Sequence, residues 1–338
     1  MSLMLMQKSV LPEWINQLCT ERRVIGPKRK QSEYVFGEVH SAAEIDLEYP
    51  TTLLPPKKAM LPVHETLLTF KDGKAELSLD NQPTIVLGVH TCDLHAISLL
   101  DRVFRQGLPD QHYLARRENT VLVGIECLSP CSEHAFCKDM GTLTVPDEFD
   151  LHLTDLGEAY AVDVGSEKGA VLVEGIDGIS PARDDDYRRV NQVMSEKWPR
   201  FSYRLGIDVT ELPGLLASNY RSAVWDEIGE RCLGCGACTL VCPTCYCFNV
   251  MDEVDLSLTV GSRGRTWDSC QLDQFAVVAG GHDFRPGHAN RQRHRFFHKY
   301  RYQTEAYGLM GCVGCGRCAG ACPVGITPGE VLKRLQQR

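Results

Sequence analysis

The chain lacks any long apolar run. Its longest uninterrupted stretches are about five residues, such as Val121-Leu122-Val123-Gly124-Ile125, whereas a membrane span needs about twenty. A helical membrane protein is therefore not expected. Met1 to Val10 lacks the charged start, long apolar segment and cleavage site of an export signal. No Gly-x-Gly-x-x-Gly follows a strand, and there is no phosphate-binding loop. His64-Glu65 runs on into Thr66-Leu67-Leu68, without the second histidine of a zinc-protease helix. No nicotinamide, flavin or catalytic site is legible, so chemistry on a small molecule calls for a partner. A basic excess is missing too. The 36 Lys and Arg against 44 Asp and Glu leave a net charge of −8, which argues against nucleic-acid binding.

What is there is an ordinary globular balance, 43% apolar and 24% charged over 338 residues, enough for two domains. The unusual number is sixteen cysteines. They fall short of the density of a small disulfide scaffold, and a chain this long buries a core without staples. With no export signal the expected compartment is the reducing cytoplasm. Clustered cysteines there read as metal ligands or redox groups.

The cysteines fall into two groups. Cys19 stands alone, Cys92, Cys127, Cys131 and Cys137 follow, and none occurs from 138 to 231. The remainder lie between Cys232 and Cys322. This gap suggests a mixed domain over 1–218, α+β or α/β, and a mostly helical, two-cluster ferredoxin-like domain over 219–338. In the first, Thr84 to Val89 and Thr120 to Ile125 read as buried strands, with a helix from Asp93 to Phe104 between them. Strand, helix, strand predicts a parallel pair. Tyr160 to Val164 and Ala170 to Val173 read as two further strands. Pro50, Pro55, Pro56 and Pro62 predict a largely extended or looped N-terminal stretch. Residues 176–218 read as a helical connector with loops. Ser222 to Arg231 and Pro328 to Arg338 read as helices.

Cys232-Leu233-Gly234-Cys235-Gly236-Ala237-Cys238 runs on to Cys242-Pro243, and Cys312-Val313-Gly314-Cys315-Gly316-Arg317-Cys318 to Cys322-Pro323. Each is C-x2-C-x2-C-x3-C-P, the spacing of bacterial two-cluster ferredoxins, in which the fourth cysteine ligates the other cluster. Cys232, Cys235, Cys238 and Cys322 would hold one [4Fe-4S] cluster, and Cys312, Cys315, Cys318 and Cys242 the other. Zinc is the competing reading, but zinc sites need no third cysteine at x2 spacing followed by Cys-Pro, twice. Residues 243–311 separate the runs, far more than in a small ferredoxin, which favours the helical form.

Cys92 follows the first predicted strand, and Cys127, Cys131 and Cys137 the second. Loops after parallel strands share one sheet edge. These four are candidate ligands of a third [4Fe-4S] cluster, with zinc or plain packing as alternatives. Cys245, Cys247 and Cys270 stay open between another cluster, a redox thiol set and packing. Arg285, Arg291, Arg293, Arg295, Lys299 and Arg301 make the segment before the second run strongly positive, a docking face or a means of tuning clusters.

Further stretches carry a resemblance: Lys57-Lys58 to Pro62, Glu65-Thr66-Leu67-Leu68, Cys92-Asp93-Leu94 with Ala96, and Cys137 before Met140-Gly141-Thr142. With them go Cys242-Pro243-Thr244-Cys245-Tyr246-Cys247, Trp267-Asp268-Ser269-Cys270, Gly280-Gly281-His282-Asp283-Phe284-Arg285, and Arg293 to Lys299. Over about residues 20 to 330 the chain resembles a family of iron–sulfur subunits shared by two kinds of complex. One kind is the sulfhydrogenases, cytosolic nickel–iron hydrogenases in which it is the beta subunit. The other is anaerobic sulfite reductase, in which it is the corresponding iron–sulfur subunit. The resemblance implies a multi-cluster electron-transfer subunit with no catalytic site of its own. It would sit between a flavin and NAD(P) reductase subunit and a catalytic subunit, nickel–iron hydrogenase in preference to siroheme sulfite reductase. A stand-alone sulfur-reducing enzyme is the alternative. Members often carry Cys-Phe-Cys before Met-Gly-Thr. Here Ala135 replaces the first cysteine, which leaves Cys131 as the substitute ligand.

Overall fold

The computed structural model describes residues 2–337. In chain order the strands are β1 (Ser2–Gln7), β2 (Arg23–Lys30), β3 (Glu33–Val39), β4 (His64–Lys71), β5 (Lys74–Leu77), β6 (Thr84–His90), β7 (Thr120–Ile125), β8 (Leu151–Asp155), β9 (Ala159–Val164), β10 (Ile179–Pro181), β11 (Phe248–Val254) and β12 (Val260–Trp267).

The two apolar runs read from the sequence become β6 and β7, buried at every position and paired in parallel, Ile85 opposite Val121. They sit at the centre of an eight-stranded sheet ordered β10-β1-β9-β8-β7-β6-β2-β3. Its middle, β2-β6-β7-β8, is parallel, and its wings are antiparallel. Both faces are covered, as a parallel sheet requires. Ile85, Leu87, Val121 and Val123 pack one way, onto Trp14, Ile15 and Leu18 of the helix Leu11–Glu21. Val86 and Leu122 pack the other way, onto Leu94, Ile97, Leu100 and Phe104 of the helix Thr91–Arg105. The α/β expectation holds for this part.

Two local readings need correction. Ala170 to Val173 is not a strand. Ser166 caps the short helix Glu167–Val171, accepting from Gly169 N at 3.1 Å, and Leu172 then offers its carbonyl to Trp14 Nε1 at 2.7 Å. The N-terminal stretch is looped only around its prolines, since β1, a helix, β2 and β3 precede them.

The C-terminal part is not mostly helical. Between the cysteine runs β11 and β12 form a hairpin that continues into β4 and β5, giving a second sheet ordered β11-β12-β4-β5. β11 is exposed along its length, so the alternate apolar residues Phe248, Val250 and Val254 bury no face. Arg265 on β12 ties the hairpin down through buried Glu65 (2.6 Å) and through Asp110. A separate core joins the helices of this part: Trp225, Ile228, Phe296, Phe297, Tyr300, Val331 and Leu332. Among the described residues no helix is long and apolar enough to cross a membrane.

Candidate iron–sulfur sites

The two cysteine runs fold alike. In each the chain leaves a helix or turn, passes two left-handed glycines, and enters a one-turn helix that ends before the fourth cysteine. The glycine φ values are 64° and 76° at Gly234 and Gly236, and 68° and 76° at Gly314 and Gly316. The one-turn helices Ala237–Leu240 and Arg317–Gly320 pack on each other, which crosses the fourth cysteine of each run over to the other.

Cys232, Cys235, Cys238 and Cys322 line a single cavity. Its walls donate to sulfur: Gln292 Nε2 to Cys232 (3.0 Å), Gly234 N to Cys232 (3.4 Å) and Ile326 N to Cys322 (3.2 Å). Cys235 is exposed, so this cavity lies at the surface. The second set lies deeper. Burial raises the pKa of Cys312, Cys315 and Cys318, the last to about 12, and the nearby Cys242 thiolate raises all three further. Tyr300 donates to Cys312 Sγ at 3.3 Å. Thiols held so far toward their protonated form ionise when a metal takes the proton's place. Among the described residues no three Cys, His, Asp or Glu side chains converge on one point as ligands of a single ion. In the first set four thiols instead surround a space, the arrangement that a cubane needs, with one thiolate per iron. The residues present therefore fit such clusters.

The N-terminal cysteines meet as well. Cys92 opens the helix after β6, and Cys127 follows the end of β7. Cys92 and Cys137 share a buried cluster with Cys315 and Val313, and Cys127 packs against it. Burial raises the pKa of Cys127, with the charges of Cys131 and Cys137 adding to it. Backbone contacts fasten this group to the second run: Phe136 N to Gly314 O at 2.7 Å, and Thr142 Oγ1 to Val313 O at 2.6 Å. A Cβ on Gly314 would lie 2.6 Å from Cys137 N, so only glycine allows this approach. Ala135, at the family's missing cysteine, is buried in the same loop.

Cys245, Cys247 and Cys270 line a third cavity, with Phe275, Arg285, His294, Arg295, His298 and Lys299. The Cys247 and Cys270 thiols are neighbours, and Cys245 neighbours Cys242 of the second set. Sequence reading named the basic segment as docking or tuning charge, but neither the charge of Lys57 nor the burial of Arg295 and Lys299. Lys57, Arg295 and Lys299 are 2%, 7% and 6% exposed, and among the described residues none has a carboxylate partner. Lys57 Nζ donates to the carbonyls of Cys242 (2.8 Å) and Cys245, and lies 4.2 Å above the Trp267 ring. Burial pulls its pKa down to about 8 against the nearby thiolates. Burial also penalises Lys299, but thiolates at Cys242, Cys245 and Cys312 outweigh it and hold its pKa above the ordinary lysine value. The basic segment thus turns Arg291, Arg295 and Lys299 inward. The signal was the run of basic residues. Its direction was not in the sequence.

Three histidines near the cysteine loops, and Cys19, make contacts of their own. His90 is buried and stacks on Tyr49 at 4.3 Å between ring centroids. His95 Nε2 lies 2.8 Å from Thr144 O. His282 packs edge-on against Phe284. Cys19 lies away from every thiol set, its sulfur directed at Val39 O.

A family profile described as a 4Fe-4S dicluster domain matches residues 231–326. The chain is 39% identical over 329 residues to sulfhydrogenase 2 subunit beta of Pyrococcus furiosus, covering 96% of each chain. No solved structure matches it.

Proposed function

Because the chain belongs to the family of sulfhydrogenase beta subunits, we propose that it is the multi-cluster electron-transfer subunit of a cytoplasmic oxidoreductase complex. It relays single electrons between a flavin and NAD(P) reductase subunit and a nickel–iron catalytic subunit. When bound, each iron–sulfur cluster takes up and releases one electron without moving a chemical group.

The carrying observation is that three thiol sets adjoin in a row. Cys232, Cys235, Cys238 and Cys322 stand at the exposed Cys235 edge. Cys242, Cys312, Cys315 and Cys318 come next, and Cys92, Cys127, Cys131 and Cys137 pack behind Cys315. We assign two [4Fe-4S] clusters to the first two sets and a third to the N-terminal set, with Cys131 in place of the cysteine lost at Ala135. Cys127 and Cys131 are half-buried and border a second surface cavity, so this reading has the row near the surface at both ends.

The chain's own residues set how easily an electron stays. Gln292, Gly234, Ile326 and Tyr300 donate hydrogen bonds to ligand sulfurs, which favours the reduced, more negative state. Lys57, Arg295 and Lys299 place buried positive charge beside them.

The test is anaerobic isolation from the native host with metal and cofactor analysis of what accompanies the chain. A nickel-containing partner together with a flavoprotein is expected. A siroheme partner would replace the hydrogenase assignment with sulfite reductase. A chain that arrives alone, or one with zinc and no iron, would overturn the relay.

A further inference from the structure

We propose that Cys245, Cys247 and Cys270, with the imidazole of His298, ligate an additional iron–sulfur cluster outside the three sets above.

Four observations converge on that cavity. First, three thiols from two separate loops and two imidazoles line it together. Cys245 and Cys270 are buried, and neither takes part in the cores that hold this half of the fold. Second, the imidazoles differ. His294 Nε2 meets Arg285 Nη1 at 3.3 Å, whereas neither ring nitrogen of His298 has a hydrogen-bond partner among the described residues. Neutral imidazole nitrogen is a good ligand for iron.

Third, the cavity holds positive charge that no carboxylate among the described residues matches. Arg285, Arg295 and Lys299 line it, and among the described residues none has a carboxylate within ion-pair distance. Arg285 Nε is a buried donor with no acceptor. A buried donor without an acceptor is unfavourable, so an acceptor beside Arg285, supplied by an anionic group in this cavity, would satisfy it. An iron–sulfur core on three thiolates carries net negative charge and exposes sulfide acceptors. Fourth, the helix Gly287–Phe297 changes at this point to a π-helical turn, His298–Tyr302. Such turns are rare and occur frequently at functional sites. This one begins at His298 and brings Lys299 against Thr244, its Nζ 2.6 Å from Thr244 Oγ1.

The site also has a place in the row. Cys245 adjoins Cys242, the residue that the second run borrows. The second set therefore touches the N-terminal set through Cys315 and the new site through Cys242. It becomes a branch point, with an arm toward the half-exposed Cys247.

The experiment measures iron and acid-labile sulfide per chain in the anaerobically isolated full-length protein with its partners. Cys247→Ser/Cys270→Ser is expected to lose about two irons if the cluster is dinuclear and about four if it is a cubane, with matching sulfide. The other clusters and the partners are retained, so this result is independent of the relay and of the third-cluster assignment. His298→Cys is expected to keep the iron and shift the cluster's electron paramagnetic resonance signal. Unchanged iron and sulfide in the double variant would overturn the proposal. Where that variant fails to fold, anaerobic alkylation of the native wild-type protein decides. Cys247 is expected to resist the reagent until iron is chelated away. Prompt labelling, a Cys247–Cys270 disulfide, or zinc in the site as isolated would refute it.

Discussion

The Arg317 guanidinium grips the Asp93 carboxylate with two parallel hydrogen bonds of 2.7 Å each, both side chains no more than 3% exposed. Asp93 directly follows Cys92, and Arg317 stands between Cys315 and Cys318. One ion pair thus fastens the N-terminal thiol set to the second ferredoxin run. Removing one partner strands a buried charge, a loss of about 3–5 kcal/mol. Asp93→Ala is expected to lower the unfolding midpoint sharply and to lose iron. The apolar pair Asp93→Leu/Arg317→Met is expected to recover most of the stability, as thermal unfolding would show. Equal midpoints for the single and double variants would refute the clamp.

Gly314 controls the same junction through its backbone. At φ 68° with Cys137 N only 2.6 Å from an added Cβ, Gly314→Ala combines strain with overlap. The expected cost is about 1–3 kcal/mol, with weakened retention of N-terminal iron. Gly320→Ala meets nothing within 4 Å and serves as the neutral control. Iron content after gel filtration separates the two.

Cys92→Ser/Cys137→Ser tests the third cluster directly. It is expected to remove about four irons per chain, since each cubane holds four. Unchanged iron would leave these cysteines as packing residues.

Lys299 bears on potential. It is buried beside the thiols of Cys242, Cys245 and Cys312 and has no carboxylate partner among the described residues. Removing a unit charge a few ångströms away at an effective dielectric near 20 is worth ~3 kcal/mol, on the order of 100 mV. Lys299→Met is therefore expected to make the nearest cluster harder to reduce. A redox titration followed by electron paramagnetic resonance would show the midpoint moving to more negative values.

His152 predicts a pH dependence. It is buried on β8, and burial, with Lys197 nearby, lowers its pKa from 6.5 to about 3. The unfolded chain therefore takes up a proton at this residue between those values while the folded chain does not. Stability is full above pH 6.5 and falls as the pH drops toward 3, by up to about 1.4 kcal/mol per unit. His152→Leu is expected to flatten that part of the pH profile of the unfolding midpoint. An unchanged slope would show that His152 titrates alike in the folded and unfolded chain.

The legible part of the fold was the part with dense local pattern. β6, β7 and the helix between them carry apolar runs or helical spacing and form almost where they were read. The helix Pro328–Gln336 is equally plain, with Thr327 capping it and Pro328 opening it. β11 was missed because its short apolar alternation at Phe248, Val250 and Val254 is broken by Met251-Asp252-Glu253 and buries no face. Its place is fixed by pairing with β12, and through β12 by β4, far away in the chain. Ala170 to Val173 misled because an apolar run with two β-branched valines reads as strand, while Ser166 supplies a helix cap.

The sequence by itself determined the two ferredoxin runs and the chain's family. Three thiolates two residues apart form a local loop, and the physics of wrapping a cube acts over a dozen residues. Only the tertiary structure decided what those runs touch. It set the N-terminal cysteines behind Gly314, turned Lys57, Arg295 and Lys299 inward, and gathered Cys245, Cys247, Cys270 and His298 around one cavity. Those outcomes rest on contacts between residues far apart in the chain, where spacing carries no information and burial decides which groups must find a partner.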